Sequence, residues 1–352
     1  MYIKAATAIS PQHSYGERAM LEPVLGSDAG RLYVVEQDYR KFISPVAIRR
    51  MSKLLKMSIT AGMQCLSDAG VQPDGIITGT GRGSVSDMEH FLHDMITYKE
   101  EALNPTYFIQ STYNSVNGWL ALQTKCTNYN QTFVHRGISF ELALMDALLT
   151  VNEATAPQNI LVGGFDEMTD YYYLVKSKIG YWKKEQLNSL ELLQHNGTTG
   201  TIGGEGASFF VLSNDSANAS AEIADLQIMS KPTCEELQRM LVSFLAKNQM
   251  TVEDVDVLLT GMNGNANFRD IFECINDQFT HGTSIAAFKH LCGEYDTASG
   301  FGLWLANHII STQAIPDAAM VKKGAQKEIK NLLIVNHTIT GDASFILLRA
   351  AS

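Results

Sequence analysis

The densest run of reactive side chains in this 352-residue sequence is Lys289-His-Leu-Cys-Gly-Glu294. In an extended segment His290, Cys292 and Glu294 would share one face, and they are zinc-ligand types. No second pair of ligands stands nearby in sequence to complete a tetrahedral set, so no metal is expected. Read singly, Cys292 offers a reactive thiol or a small core residue. Glu294 beside Lys289 offers a carboxylate next to an ammonium, a pairing able to work as a general base. A second candidate is His135-Arg136, followed by Gly137 and Ser139 at the head of an apolar-periodic stretch. A helix start already favours anions, so these cations suit a carboxylate or a phosphate. They suit equally well a polar plug paired with Glu141. Gly79-Thr-Gly-Arg-Gly83 is glycine-rich but lacks the lysine of a nucleotide phosphate loop. The five cysteines, Cys65, Cys126, Cys234, Cys274 and Cys292, show no CxxC spacing. Neither a disulfide framework nor a zinc site is expected of them.

The elements that must hold these residues follow from periodicity. A helix is expected from about Ile48 to Ala69, with Met51, Leu54, Leu55, Met57, Ile59, Met63 and Leu66 as its buried stripe and Gly70 as its C-cap. The strand Asp74–Gly79 follows. Further on, a helix near Cys234–Asn248 precedes Asp256–Gly261, a strand and turn of the same internal spacing. The two halves also close alike, with Asn159–Gly163 then Gly206–Leu212, and Asn331–Val335 then Asp342–Leu348. Short apolar runs alternating with longer helical stripes imply a largely parallel sheet covered by helices on both faces. Done twice, this places an N-terminal half at 1–213, with a cap insertion at about 165–203, and a C-terminal half at 221–352. The polar stretch 214–220 joins them.

Composition narrows the function classes. With 45% hydrophobic residues the chain can bury a large core, and a net charge of −10 argues against nucleic acid as a partner. No apolar run is long enough to span a membrane. Met1-Tyr-Ile-Lys-Ala-Ala-Thr7 reads as a first strand rather than a signal peptide, so a cytoplasmic protein is expected.

Several segments, in order along nearly the whole chain, resemble the β-ketoacyl synthases of the thiolase-like superfamily. They are Tyr2-Ile-Lys with Ala8-Ile-Ser-Pro11, Asn159–Glu167 with its Gly-Gly-x-x-Glu ending, Gly203-Gly-Glu-Gly-Ala-Ser208, and Lys289–Gly300. The resemblance implies an α/β fold, a duplicated thiolase-like α-β-α-β-α layered sandwich with two mostly parallel mixed sheets. It also implies a chemistry: a cysteine thiolate at a helix N-terminus, two histidines that assist decarboxylation, and a backbone oxyanion hole. Laid on that pattern, the cysteine's place falls at Gly137 and the histidines' places at Met262 and Glu294, while Lys289 is retained. The C-terminal Gly-Phe-Gly-Gly becomes part of Asn336–Asp342, so its gating phenylalanine is lost.

No working condensing set is therefore expected. The residues left to contact a substrate are His135, Arg136, Ser139, Lys289, Cys292 and Glu294. Phe108, Trp119 and Phe140 either line or block an acyl tunnel. No cofactor is expected, since acyl groups would arrive on the phosphopantetheine of an acyl carrier protein or on coenzyme A. The resemblance is nearest to chain-length factors, non-catalytic partners of an active β-ketoacyl synthase in polyketide or aryl polyene systems. A rebuilt acyltransferase or decarboxylase and a homodimeric acyl-binding scaffold remain open alternatives.

Overall fold

The structure is a computed structural model that describes residues 1–16, 21–279, 282–325 and 328–351. Its strands are β1 (Tyr2–Ile9), β2 (Gly75–Gly79), β3 (Tyr129–Phe133), β4 (Asn159–Asp166), β5 (Gly206–Ser213), β6 (Ala221–Met229), β7 (Val257–Thr260), β8 (Ser284–Ala287), β9 (Met320–Lys322), β10 (Asn331–His337) and β11 (Ala343–Ala350). The helices are α1 (Pro45–Ile48), α2 (Lys53–Ala69), α3 (Val85–Thr97), α4 (Pro105–Ser111), α5 (Ser115–Thr124), α6 (Ser139–Glu153), α7 (Asp170–Lys178), α8 (Cys234–Lys247), α9 (Arg269–Asn276), α10 (Lys289–Cys292) and α11 (Ala298–Thr312).

The strand order is β3-β2-β4-β5-β1-β6-β11-β10-β7-β8-β9. Reading outward from the β1/β6 seam, the two sides repeat one another. β5 and β11 come next, then β4 and β10, then β2 and β7, then β3 and β8. The seam itself is thin: only Tyr2 with Glu222 and Ile3 with Ala221 are paired across it. The sheets thus meet edge to edge instead of standing wholly apart. Parallel pairing is confined to β3-β2-β4 and to β8-β7-β10, while the strands nearer the seam are antiparallel. That is a smaller parallel share than the apolar runs imply, because a strand buried on both faces reads the same in either direction.

Burial sorts into layers. One apolar cluster joins α2 and α5 to one face of the N-terminal strands, and another joins α8 and α9 to one face of the C-terminal strands. Between the sheets lies a third cluster, in which Phe140, Leu144 and Val151 of α6 meet Phe301, Leu305 and Ile309 of α11 together with strands from both halves. The result is helix, sheet, central helices, sheet, helix. α11 is buried along most of its length, as its largely apolar composition requires.

Two local expectations need correction. The helix expected from Ile48 runs only from Lys53, after the separate turn α1, because the Ser52 hydroxyl accepts the Leu55 N–H and caps a new start. Cys234 and Cys274 form a disulfide between α8 and α9. Their separation of 40 residues carries no local signal; the helices meet only through the fold. Among the described residues no helix is long and apolar enough to cross a membrane.

Candidate functional site

The place expected for a nucleophile is the turn between β3 and α6. Here a single 3-10 turn, Arg136–Ile138, leads into the helix, and Arg136 takes a left-handed φ of +53°. Ser139 ties this turn: its Oγ accepts the His135 N–H at 2.8 Å and donates to the Arg136 carbonyl at 2.7 Å. Ser139 is fully buried, so it brackets the backbone and does not face a ligand. From behind, β2 presses its end on the helix start, where a Cβ on Gly79 would lie 2.2 Å from the Ser139 carbonyl oxygen. From in front, the elbow is closed. A Cβ on Gly137 would lie 2.6 Å from Thr338 Cβ and 2.8 Å from its Cγ2, so a threonine methyl occupies the space of the missing side chain.

The second centre lies beside β7 and α10. Lys289 Nζ donates to both Glu294 oxygens at 2.9 and 3.0 Å and to the His337 carbonyl at 2.9 Å. Asn263 Nδ2 completes the carboxylate at 2.7 Å. Lys289 is 1% exposed and Glu294 5%, so the pair is enclosed. The side chain brought to Glu294 is Asn263, and Met262 turns instead toward Asn276 Nδ2 at 3.8 Å. Asn263, not Met262, is thus the residue of this turn that faces the pair, and Gly264, with a φ of +69°, makes the turn that follows it.

The Lys289–Glu294 run does not build a metal site. Lys289–Cys292 is a helical turn, so its side chains fan out. His290 Nε2 lies 2.7 Å from the Ala318 carbonyl, and Cys292 Sγ donates to Gly293 O. Burial pushes the Cys292 thiol well above its ordinary pKa, which leaves it without thiolate character. Among the described residues no group of three His, Cys, Asp or Glu is placed to hold a metal ion.

The C-terminal turn joins the two centres. His337 gives its carbonyl to Lys289, and the next residue, Thr338, covers Gly137. The His337 ring packs on Phe268 with centroids 4.7 Å apart, and burial lowers its pKa to about 4. It stays a neutral packing group. Glu141, offered as a partner for His135 and Arg136, lies elsewhere. It is buried in the central layer, where Asn336 Nδ2 and Ser344 Oγ each donate to its Oε1 at 3.0 Å, and burial raises its pKa. Phe140 packs against Phe210 in the same layer and fills space there.

Above the closed elbow opens a cleft of about 830 Å³. Of the six expected contact residues only His135 and Arg136 reach its wall; Ser139, Lys289, Cys292 and Glu294 are buried away from it. Arg82, Tyr172 and Lys231, which the sequence did not single out, line it too. The Arg82 guanidinium lies 4.6 Å from the Tyr172 ring centre and 3.2 Å from Asp296. Behind them Asp166 accepts hydrogen bonds from Thr80, Gly81 and Thr297, and burial together with Asp296 raises its pKa to about 7. The wall thus presents cations in a protein whose net charge is −10.

Comparison with solved structures identifies the fold. The ishigamide ketosynthase/chain length factor superposes with a TM-score of 0.79 at 15% identity, covering 100% of this chain and 99% of that one. A β-ketoacyl synthase from Burkholderia phymatum STM815 gives 0.80 at 14%, covering 100% and 99%. A type II polyketide synthase ketosynthase, solved with its acyl-carrier protein and bound to the hexaketide (AntDE:AntF), gives 0.75 at 13%, covering 99% of both chains. No curated protein sequence matches the chain. The sequence profile of the β-ketoacyl synthase N-terminal domain matches residues 30–233, more than half of its length. With the duplicated fold and the order of its motifs, this chain belongs to the β-ketoacyl synthase family.

Proposed function

We propose that this chain is a ketosynthase-like subunit, silent in condensation, that pairs with an active β-ketoacyl synthase and shapes its acyl tunnel during polyketide- or fatty-acid-type chain elongation. The acyl chain would travel on the phosphopantetheine of an acyl carrier protein. One observation carries the reading. The elbow is a glycine roofed by Thr338, and the groups facing one another at the other centre are Asn263, Glu294 and Lys289, locked into a buried ion pair. Such a set has no nucleophile and no imidazole. Of the groups a rebuilt enzyme could use, Lys289, Cys292 and Glu294 are enclosed, and only His135 and Arg136 reach the cleft wall.

A partner is supported by the surface. α3, α4, α5 and the edge strand β3 pack side by side and expose Leu92, Ile96, Phe108, Ile109, Leu122 and Tyr129. Ile96 is 81% exposed, Leu122 75% and Phe108 57%. An apolar area of this kind marks an association surface. On its outer side β3 has no neighbour among the described strands. The names of two similar structures, a ketosynthase/chain length factor and a ketosynthase with its acyl-carrier protein, agree in kind.

The test is intact mass after incubation with acyl- and malonyl-carrier protein, with and without an active ketosynthase. The expected result is no covalent adduct on this chain and a changed product length from the partner. A stable acyl adduct on this chain would overturn the proposal.

A further inference from the structure

The Cys234–Cys274 disulfide belongs to no part of the site described above, yet it lies one helix away from it. Cys234 is the first residue of α8 and Cys274 sits in the last turn of α9, and both are only partly buried. Their Cα atoms are 6.3 Å apart, inside the range a disulfide spans without moving backbone. The other cysteines, Cys65, Cys126 and Cys292, are free. α9 is short and few anchors hold it. Gln238 Nε2 of α8 donates to the Cys274 carbonyl at 3.2 Å, Phe272 and Ile275 are buried, and Asn276 Nδ2 reaches back to Met262. Just ahead of α9, Phe268 packs on His337, whose carbonyl receives the Lys289 ammonium. The segment that supplies Asn263 to Glu294 is thus pinned at its far end by the disulfide.

We infer that Cys234 and Cys274 form a reversible redox clasp that fixes α9 and, through it, the Met262–Phe268 loop beside the Lys289–Glu294 pair. A disulfide that is only partly buried is open to thiol exchange, in contrast to one sealed in a core. The oxidising partner is a low-molecular-weight disulfide such as oxidised glutathione. One cysteine thiolate attacks a sulfur of that disulfide, breaks its S–S bond and releases one glutathione thiolate. The second cysteine thiolate then attacks the mixed disulfide, forms the Cys234–Cys274 bond and releases the second glutathione. Two cysteine thiols are oxidised and one glutathione disulfide is reduced to two thiols. Reduction runs the same steps backwards. The inference does not depend on the subunit role proposed above.

The experiment uses the full chain, equilibrated in glutathione buffers of graded ratio, then denatured and alkylated. In the oxidised buffers three alkyl adducts are expected, on Cys65, Cys126 and Cys292, and in the reduced buffers five. Amide exchange on the native protein should quicken on reduction in residues 262–276, by about tenfold, with the α2 and α11 amides unchanged. Cys274→Ser should show the fast exchange in both buffers, which separates loss of the clasp from any other effect of reductant. Five adducts in every buffer, or three in every buffer, would overturn the inference. So would a disulfide that opens and closes without altering exchange at 262–276.

Discussion

The enclosed Lys289–Glu294 pair allows a quantitative prediction. In Glu294→Gln the side chain keeps its shape but loses its charge, and its amide nitrogen must face either the Lys289 ammonium or the Asn263 amide. Lys289 would keep the His337 carbonyl at 2.9 Å and at most the Gln carbonyl oxygen, with no counter-charge in an environment where it is 1% exposed. Leaving one member of a buried pair uncompensated costs about 3–5 kcal/mol. Against a typical stability of about 5–15 kcal/mol, that is roughly a fifth of the whole or more. The companion Lys289→Met/Glu294→Leu removes both charges. It should recover most of the loss, short of about 1–3 kcal/mol for the Asn263 amide left without its acceptor. The assay is urea unfolding followed by circular dichroism, at one protein concentration so that any association contributes equally. The coupling between the two positions is read from the double-mutant cycle closed by the single variants Lys289→Met and Glu294→Leu. If Glu294→Gln falls within about 1 kcal/mol of the parent, Lys289 does not carry a buried charge that needs its partner. The closed description of this centre would then be wrong.

Other perturbations test other parts of the site. Gly137→Cys puts a Cβ 2.6 Å from Thr338, so it should lower stability by about 1–3 kcal/mol and yield no condensation, with or without Thr338→Gly as relief. Condensation by the double variant would show that Asn263 and Glu294 can replace imidazoles. Burial raises the Glu167 carboxyl from 4.5 to about 7, although the Ser86 N–H and Oγ both donate to it. The folded protein therefore binds that proton more tightly than the unfolded chain, and this group's contribution to stability falls as pH rises from about 4.5 to 7. Relative to Glu167→Gln, the parent should melt progressively higher as pH is lowered through that window; parallel melting curves would refute it. On the exposed apolar face, Ile96→Asp should leave unfolding unchanged within about 0.5 kcal/mol. It should weaken capture of a cysteine-bearing ketosynthase about tenfold or more, and unaltered capture would move the interface elsewhere.

How much of this was legible beforehand differs from residue to residue. The strands at β2, β4, β5, β7, β10 and β11 were readable because each is a short apolar run bounded by turn residues, and the repeat between halves was readable because spacing survives where identity does not. The break at Ser52 was not, because the stripe Met51-Leu54-Leu55 continues across it and only the capping hydroxyl marks the restart. Motif order drew attention to Gly137 and Glu294, which the structure places against Thr338 and Lys289. That Asn263 and not Met262 faces Glu294 could not be read from apolar pattern, since a strand end gives no sign of which residue turns inward. Arg82 lies in a glycine-rich stretch that sequence reasoning had weighed only for nucleotides, and Lys231 and Tyr172 reach the cleft from distant elements. The disulfide depends on two helices 40 residues apart meeting, which local spacing does not encode.

The shared central layer has a consequence for how the chain leaves the ribosome. α6 buries one side against its own sheet and another against α11, so its apolar surface has no complete cover until α11 has been made. From Glu153 to Thr312 is about 160 residues, roughly 10–30 s at ordinary elongation rates. During that interval the finished N-terminal strands wait with one face open. A ribosome stalled near residue 220 should therefore display a chaperone-binding, aggregation-prone half rather than a folded one, and the two halves expressed separately should become soluble only when they are made together.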